Sequence, residues 1–436
     1  MLDLSGPDRS RPLPRGAIGT PRMEPVRHLD PVGPMASLQA RRVLQSLMRT
    51  GQEARFVGGC VRDAVLGVEA SDVDIATPLP PEEVMRRLKA DGIRVVPTGI
   101  KHGTVTAVLD HDSFEITTLR RDVETFGRHA RVEFTDDWVA DATRRDFTFN
   151  AMSLSPEGDL YDPFNGLEDL EKGRVRFVGE AQARIREDVL RILRFFRFHA
   201  RFGGPEPEPT AIRACSELAH LLPTLSGERV REELLRLLDA DRAVDVWRLM
   251  LDYGIVAHLL PQATRVERLA ALDRLEWMVG EADPMARLAA LLPKGRTTAQ
   301  EVAERLKLSN AQRDRLLLLA DPPVDVHPDL GIKARRHALQ KLGTEPYRDL
   351  LLLAASDRGT PAAELLEPLA EAASWIIVPF PLKGQDLLDM GVPPGPEVGR
   401  ILAGVEGWWA AREFQPTREE CLAELRRKLA ERAAGD

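Results

Sequence analysis

Two aspartates in the first fifth of the chain have the side chains and the spacing of a metal-binding pair. Asp72 and Asp74 flank Val73 in an apolar run, Val73–Ile75, that predicts a strand. Because neighbouring side chains of a strand point to opposite faces, the two carboxylates share one face. Acidic groups this close need a cation to stay ionised, and Mg²⁺ prefers oxygen ligands from carboxylates and substrate phosphates. We therefore predict that Asp72 and Asp74 bind two Mg²⁺ ions, although an isolated Asp-x-Asp is more often a solvated strand face or turn.

A glycine pair upstream predicts a phosphate-binding turn. Gly58 and Gly59 follow the strand residues Phe56 and Val57, and without a Cβ they let main-chain N–H groups approach an anion closely. The start of a helix adds positive potential there. Arg62, one turn later, can reach the same phosphates with its forked guanidinium. A Gly-Gly pair alone is usually a turn, but here it stands beside paired carboxylates, and the combination predicts binding of a triphosphate.

The chemistry that such a site suits is nucleotidyl transfer. One ion of a two-metal site activates an attacking hydroxyl and the other stabilises the leaving pyrophosphate. Glu115, in the strand-like run Phe114–Thr118, could supply a third carboxylate. The alternative for Glu115 is an exposed strand carboxylate.

Strand and helix signals alternate in the part of the chain that carries these residues, from Met35 to about Ser155. Beyond Gly179 almost every segment has helical periodicity and the strand patterns disappear. The sequence thus predicts an α/β head followed by an elongated all-α region. The predicted elements of the head are strands at Ala54–Val57 and Val73–Ile75, a helix at Pro81–Ala90, and a hairpin of Gly103–Leu109 and Phe114–Leu119 that turns at His111-Asp112.

The composition of the 436 residues, 43% hydrophobic and 29% charged, is that of an ordinary globular protein. No stretch approaches the roughly 18 apolar residues of a membrane span, so we expect no membrane partner. Three distant cysteines without pairing logic predict a reducing cytoplasm and no disulfide framework. The net charge of −8 disfavours a nucleic-acid partner, but a local basic surface can exist within an acidic average.

Several segments, in the same order along the chain, resemble the class II tRNA nucleotidyltransferase and bacterial poly(A) polymerase family. The first is the segment Gly58–Asp63 with Asp72–Asp74, described above. The other similar segments are Arg144–Ala151, Asp162–Gly166, Glu187–Arg191 and Glu228–Leu234. The resemblance implies a polymerase-beta-like catalytic head with neck, body and tail helices. It also implies a Mg²⁺-dependent reaction that uses CTP and ATP and a tRNA partner.

Within this family the resemblance favours CCA addition to tRNA over poly(A) synthesis. Poly(A) polymerases of the family usually have proline after the Glu-Asp pair, where this chain has Val189 after Asp188. A catalytically idle RNA-binding relative is the alternative from another class. The oligomeric state stays open. The predicted domains are a disordered extension at 1–34, the catalytic head at 35–155, a nucleotide-recognition neck at 156–240, a helical body at 241–378 and a tRNA-binding tail at 379–436.

A helix predicted at Arg184–Phe202 would read the base. Asp188, Arg191, Arg194 and Arg197 recur every three residues, which would place them along one side of that helix. Cytosine and adenine both present an amino donor beside a ring-nitrogen acceptor. A carboxylate beside a guanidinium complements that edge, and guanine and uracil would leave buried groups unpaired. The alternative is a set of ordinary Asp–Arg pairs within one helix.

Further residues of the site follow from the resemblance. Asp141, Arg145 and Asn150 are the expected nucleotide ligands near the head, with Arg145 on the triphosphate and Asn150 on sugar or phosphate. Their alternative is helix capping and surface pairing. The stretch Asp122–Glu133 is similar to a loop of the family that stays mobile until substrate arrives, or is an ordinary exposed loop.

Overall fold

The chain divides into two compact units in the computed structural model. One contains Met1–Arg191 and Phe202–Cys215, and the other contains Ile192–Arg201 and Ser216–Asp436. The described residues are 23–70, 72–126, 129–279 and 282–433, and of residues 122–126, 129–132 and 432–433 only the backbone is described. The domain boundaries predicted from the sequence stay predictions.

Among the described residues of the first unit, ten strands form two sheets. An eight-stranded sheet has the order β1-β10-β9-β2-β3-β6-β5-β4, and β7 and β8 form a separate two-stranded sheet. The strands are β1 (Arg27–His28), β2 (Arg55–Val57), β3 (Val73–Thr77), β4 (Arg94–Gly99), β5 (Thr104–Leu109), β6 (Asp112–Thr118), β7 (Arg120–Phe126), β8 (His129–Phe134), β9 (Ser153–Leu154) and β10 (Asp159–Tyr161).

The helices up to residue 217 are α1 (Leu38–Met48), α2 (Gly59–Val65), α3 (Pro81–Ala90), α4 (Trp138–Thr143), α5 (Gly166–Glu171), α6 (Ala181–Glu187), α7 (Arg191–Phe202) and α8 (Pro209–Glu217). Strands are absent from the described residues beyond β10, which confirms the predicted α/β head followed by helices. The later helices are α9 (Gly227–Leu238), α10 (Ala243–Asp252), α11 (Ile255–Leu259), α12 (Val266–Val279), α13 (Pro284–Leu291), α14 (Arg296–Arg305), α15 (Asn310–Ala320), α16 (Ile332–Leu342), α17 (Thr344–Arg358), α18 (Leu366–Ser374), α19 (Gly384–Asp389), α20 (Pro396–Ala410) and α21 (Arg418–Ala433).

The predicted hairpin is confirmed, since β5 and β6 pair antiparallel from Thr104↔Thr117 to Leu109↔Asp112. Its predicted turn at His111-Asp112 was wrong by one residue, because Asp112 already belongs to β6 and the turn is Asp110-His111. The next neighbour of β6 in the sheet is β3, and these two strands run parallel. Parallel strands need a long connection, and here α3, β4 and β5 lie between them in the chain. This crossover brings β3, with its aspartates, beside β6.

Order begins earlier in the chain than the sequence predicted. Residues 1–22 lie outside the described residues, but Arg27 and His28 pair with β10 in the main sheet. The main-chain N–H groups of Val26 and Leu29 donate to the carbonyl oxygens of Leu160 and Gly158, both at 2.8 Å. These bonds to the sheet hold a segment whose Pro-rich composition had predicted disorder up to residue 34.

The stretch predicted as a loop at Asp122–Glu133 is largely a hairpin. Its strands β7 and β8 pair from Arg120↔Phe134 to Phe126↔His129. Residues 127 and 128, at its tip, lie outside the described residues, and the predicted mobility of this stretch stays a prediction. The sequence does carry a strand signal that the prediction did not use, because Ala130, Val132 and Phe134 alternate with charged or polar residues along β8.

The single helix predicted at Arg184–Phe202 was wrong. The structure has α6, then an extended residue at Asp188 (φ −147°, ψ 104°), then α7. The Asp188 carboxylate accepts a hydrogen bond from the main-chain N–H of Leu190 at 3.2 Å. A short acidic side chain that bonds a nearby main-chain N–H competes with the helix at that position. Asp188 therefore does not lie on the helix that carries Arg194 and Arg197.

No helix among the described residues is both long and apolar enough to cross a membrane.

Candidate active site

The paired aspartates stand at the start of β3. Asp74 lies opposite Glu115 of the parallel strand β6, so these two carboxylates face the same side of the sheet. Asp72 is exposed, whereas Asp74 is half-buried. Burial, followed by the negative charges of Glu115 and Asp72, raises the pKa of Asp74 to about 6, although Arg145 opposes the shift. The combined negative charge of Asp72, Asp74 and Glu115 exceeds the single positive charge of Arg145.

The glycine turn between β2 and α2 faces the same carboxylate. Gly58 has φ +74° and ψ −131°, a conformation that glycine adopts readily and other residues do not. A Cβ at Gly58 would lie 3.2 Å from Nη1 of Arg145 and 3.6 Å from Oδ2 of Asp74. The glycine turn, the guanidinium of Arg145 and the carboxylate of Asp74 therefore enclose one small space. This space is open because Gly58 has no side chain.

The carboxylate of Asp141 orients two arginines at this site. Asp141 lies in α4 and is 3% exposed. Its oxygens accept hydrogen bonds from Nε of Arg144 at 2.9 Å and from Nη2 of Arg145 at 3.4 Å. Burial would raise the pKa of Asp141, but the charges of Arg144 and Arg145 outweigh it and hold that pKa below its usual value. Asp141 is thus an ionised anchor for the arginine that faces Asp74.

Arg62 lies beside the glycine turn, since its Nη2 would be 3.6 Å from a Cβ at Gly59, and its predicted contact with phosphate stays a prediction. Its guanidinium is buried and donates to Oδ1 of Asp63 at 2.8 and 2.9 Å and to Oδ1 of Asn150 at 2.9 Å. Asn150 in turn donates from Nδ2 to Oδ1 of Asp146 at 2.9 Å. The strong acceptor next to it in sequence, Asp63, binds Arg62, and Arg62 fixes the side chain of Asn150.

Sequence reasoning missed a buried carboxylate behind this network. Asp169 of α5 is fully buried, and its Oδ2 accepts hydrogen bonds from the hydroxyl of Thr148 at 2.7 Å and from Nε of Arg176 at 2.8 Å. Thr148 begins the short 3₁₀ helix that contains Asn150. A Cβ on Gly166 would lie 2.3 Å from the carbonyl oxygen of Thr148, so the backbones approach closely there. No local pattern marks Asp169, because its partners come from other segments.

The two predicted base-reading residues, Asp188 and Arg191, are joined through their main chains, since the N–H of Arg191 donates to the carbonyl oxygen of Asp188 at 3.0 Å. Nη1 of Arg191 donates to Oε2 of Glu187 and to the main-chain oxygen of Arg184, both at 2.7 Å. The carboxylate of Asp188 caps the start of α7 through Leu190. Both side chains are partly exposed. Their role in base recognition stays a prediction.

Arg194 and Arg197 both meet one buried glutamate of the second unit. Nε of Arg197 lies 2.5 Å from Oε2 of Glu233, and Nη1 of Arg194 lies 3.4 Å from Oε1 of the same residue. The Arg197 guanidinium also stacks over the ring of Phe198 at 4.0 Å. Arg197 is 8% exposed, and its predicted contact with nucleotide stays a prediction.

The donor set at β3 fits Mg²⁺. Within the part of the chain that the structure describes, no three Asp, Glu, His or Cys side chains form a ready-made metal cluster. Mg²⁺ is usually bound by one or two carboxylates and completed by waters and substrate phosphates. Asp72 and Asp74 are the predicted pair, and a bound cation would lower the pKa of Asp74, which burial and then the like charges of Glu115 and Asp72 raise.

The mixed sheet with this site is the head of a nucleotidyltransferase. Residues 54–176 match the family model described as the Poly A polymerase head domain. Residues 206–266 match a second model, described as the probable RNA and SrmB-binding site of polymerase A. The first match contains the glycine turn, both aspartates and Asn150.

Comparison with known proteins shows which nucleotidyltransferases this chain resembles. CCA tRNA nucleotidyltransferase 1, mitochondrial, of Danio rerio is 39% identical over 388 residues, which are 86% of this chain and 87% of that protein. The Homo sapiens protein of the same name is 35% identical over 396 residues, 87% of this chain and 88% of its own length. The crystal structure of the Bacillus stearothermophilus CCA-adding enzyme in complex with CTP has a TM-score of 0.72 and 28% identity, and the match covers 93% of this chain and all of that one. This chain therefore belongs to the class II CCA-adding enzyme family.

Proposed function

We propose that this chain adds CMP and AMP to the 3′ end of tRNA, from CTP and ATP, and so builds or repairs the CCA end. The observation that carries the proposal is the 39% identity to a CCA tRNA nucleotidyltransferase over 87% of that protein's length. An identity spread over head and helical parts alike favours the whole activity rather than a shared nucleotide-binding head. The solved CTP complex of a CCA-adding enzyme supports CTP as a substrate.

We assign the binding of two Mg²⁺ ions to Asp72 and Asp74, with Glu115 beside them. Bound Mg²⁺ supplies activation of the 3′ hydroxyl of tRNA and stabilisation of the departing pyrophosphate. The protein's part is to hold the two aspartates on one face and to leave the other ligand positions for water and phosphate oxygens. Support comes from the elevated pKa of Asp74, which a cation would lower.

The triphosphate would lie in the space at Gly58 and Gly59. Main-chain N–H groups at the start of α2 point toward such an anion, and Arg145 adds a charged donor on the opposite side. Arg145 lies between two carboxylates, Asp141 and Asp74. Asp141 orients the guanidinium, and a triphosphate would become its new partner. Asn150 is the proposed sugar or phosphate contact, held in place by Arg62 and supported by the 2.9 Å bond between them.

Base choice is assigned to Asp188 and Arg191, with Arg194 and Arg197 as further nucleotide contacts. The amino group and the ring nitrogen on the pairing edge of cytosine and adenine match a carboxylate acceptor and a guanidinium donor. Guanine and uracil present a carbonyl and an N–H instead. Each buried group left unpaired costs about 1–3 kcal/mol, which suffices for selection against both. For Arg191 to bind a base it must give up part of its present contact with Glu187.

The decisive experiment offers the purified protein a tRNA that lacks its 3′ CCA, with CTP and ATP separately and together, followed by sequencing of the products. We expect two C residues with CTP alone and CCA with both nucleotides. Long A tails with ATP alone, on tRNA and on an unrelated RNA, would instead identify a poly(A) polymerase. Absence of any addition while tRNA binds would identify a catalytically idle relative.

We also propose the cytoplasm as the compartment, supported by three free, buried cysteines. The two animal relatives bear the word mitochondrial in their names. Fractionation of cells that produce the tagged chain distinguishes the two compartments.

A further inference from the structure

Arg184 is a buried arginine whose guanidinium spans two segments of the first unit. It belongs to α6 and is 8% exposed. Nη2 donates to the main-chain oxygen of Arg145 at 2.7 Å and to that of Arg144, just past the end of α4. Nη1 donates to Glu187. The last carbonyls of a helix have no partner within the helix, and a cation there also meets the negative end of the helix dipole.

The main chain of Arg184 takes part in a second contact. Its carbonyl oxygen accepts the hydrogen bond from Nη1 of Arg191 at 2.7 Å, and Arg191 also binds Glu187. The side chain and the backbone of Arg184 thus join Arg191 to the backbone of Arg144 and Arg145. Nη2 of Arg191 also reaches the main-chain oxygen of Arg144 directly, at a longer 3.4 Å. An unbroken series of hydrogen bonds runs from the base-reading segment to the end of α4.

The far end of this series reaches the catalytic site. Arg145, whose backbone Arg184 holds, directs its guanidinium to Asp141 and to the space beside Gly58 and Asp74. A displacement of the α4 end would therefore move the proposed triphosphate ligand. The same displacement would release Arg191 on the other side.

We propose that Arg184 is a positioning residue that holds the base-reading segment Glu187–Arg191 at a fixed distance from the triphosphate ligand Arg145. This inference rests on the proposed function, because it takes Arg191 as base reader and Arg145 as phosphate ligand. With Arg184 in place, only a base that pairs with the segment leaves the α-phosphate aligned. Without it, only the 3.4 Å bond from Arg191 to the main-chain oxygen of Arg144 joins the two segments, so the two ends of the nucleotide are less firmly coupled and selectivity falls.

The test compares Arg184→Lys with wild type. A lysine keeps the charge but lacks the planar fork that reaches two carbonyls and a carboxylate together. The readout is the ratio of kcat/KM for CTP to that for UTP on a tRNA lacking CCA. A variant that is merely less stable loses activity with both nucleotides alike, so its ratio stays constant. We expect the ratio to fall about tenfold or more, since misplacement by an ångström can cost 10²-fold in rate.

Arg287→Lys is a closely matched control. Arg287 is 4% exposed and donates to the main-chain oxygens of Leu238 and Ala240, at the end of α9, at 2.8 and 3.2 Å. It also binds a buried carboxylate, Glu276, at 2.6 Å. The same kind of bonds is lost in both variants, so a change in the CTP/UTP ratio confined to Arg184→Lys supports the proposal.

An unchanged ratio in folded Arg184→Lys, or an equal change in Arg287→Lys, would overturn it. If Arg184→Lys does not fold, the ratio is measured in Glu187→Gln, which weakens the shared contact of Arg184 and Arg191. A lowered ratio there supports the coupling and an unchanged ratio rejects it. Failure of the wild type to add C at all would refute the proposed function instead, so the two failures are distinct.

Discussion

Replacement of Gly58 by alanine tests whether the small space at the glycine turn is the site of catalysis. The new Cβ would lie 3.2 Å from Nη1 of Arg145 and 3.6 Å from Oδ2 of Asp74. Ordinary contacts between carbon and nitrogen are longer than the first distance, so Arg145 must shift by a few tenths of an ångström. The backbone is also strained, because φ is +74° and a side chain at positive φ costs about 1–2 kcal/mol.

Gly67→Ala separates the two effects. Gly67 has a similar φ of +69° and nothing within 4 Å of its added Cβ. Both variants should lose unfolding free energy, measured by denaturant titration. Gly58→Ala should lose the more, because its ψ of −131° lies outside the left-handed helical region in which a side chain costs about 1–2 kcal/mol. Only Gly58→Ala should lose catalysis, on the order of 10²-fold in kcat/KM for CTP, because its Cβ displaces a phosphate ligand.

The assay is steady-state incorporation of CMP into a tRNA that lacks CCA. It is run without denaturant, at a temperature at which both variants are folded. Full activity in Gly58→Ala would show that triphosphate does not occupy this space. Equal loss in Gly67→Ala would show that strain alone, wherever it occurs, slows the reaction. Either result would refute the assignment of the turn as the phosphate cradle.

Four other variants, one pH series and one salt titration supply the remaining tests. Asp74→Ala should abolish incorporation while tRNA binding, followed by gel shift, stays nearly intact; retained turnover would remove Asp74 from the metal site. Asp188→Ala and Arg191→Ala should each relax the choice of CTP over UTP more than they raise KM for the triphosphate, and unchanged selectivity would argue for a purely structural role. Burial, aided by Arg242, lowers the pKa of His199 to about 4, so the unfolded chain binds more protons below pH 6.5 and stability should fall as the pH drops from about 6.5 to 4. The loss is on the order of 3 kcal/mol, and His199→Gln, compared with wild type by denaturant titration at each pH, should lack it. Affinity for tRNA should fall steeply with added salt, and a flat response would exclude electrostatic binding.

The sequence by itself determined those helices and strands that are specified by residues close together in the chain. Pro81 at the first turn and acidic residues after it define the start of α3, and the predicted bounds Pro81–Ala90 are confirmed. The hairpin of β5 and β6 was also predictable, since its apolar residues alternate along both strands. The same period placed Asp72 and Asp74 on one face before any tertiary contact was known.

Only the tertiary structure decided which distant groups meet at that face. The parallel pairing of β3 with β6 sets Glu115 opposite Asp74, and no local pattern encodes a register between segments 40 residues apart. The contact of Arg62 with Asn150 and the buried pairing of Arg197 with Glu233 have the same origin. In each case a charged side chain could pair with a residue of its own segment or with one from another segment. Tertiary packing decides between the two, and the periodicity of the sequence does not.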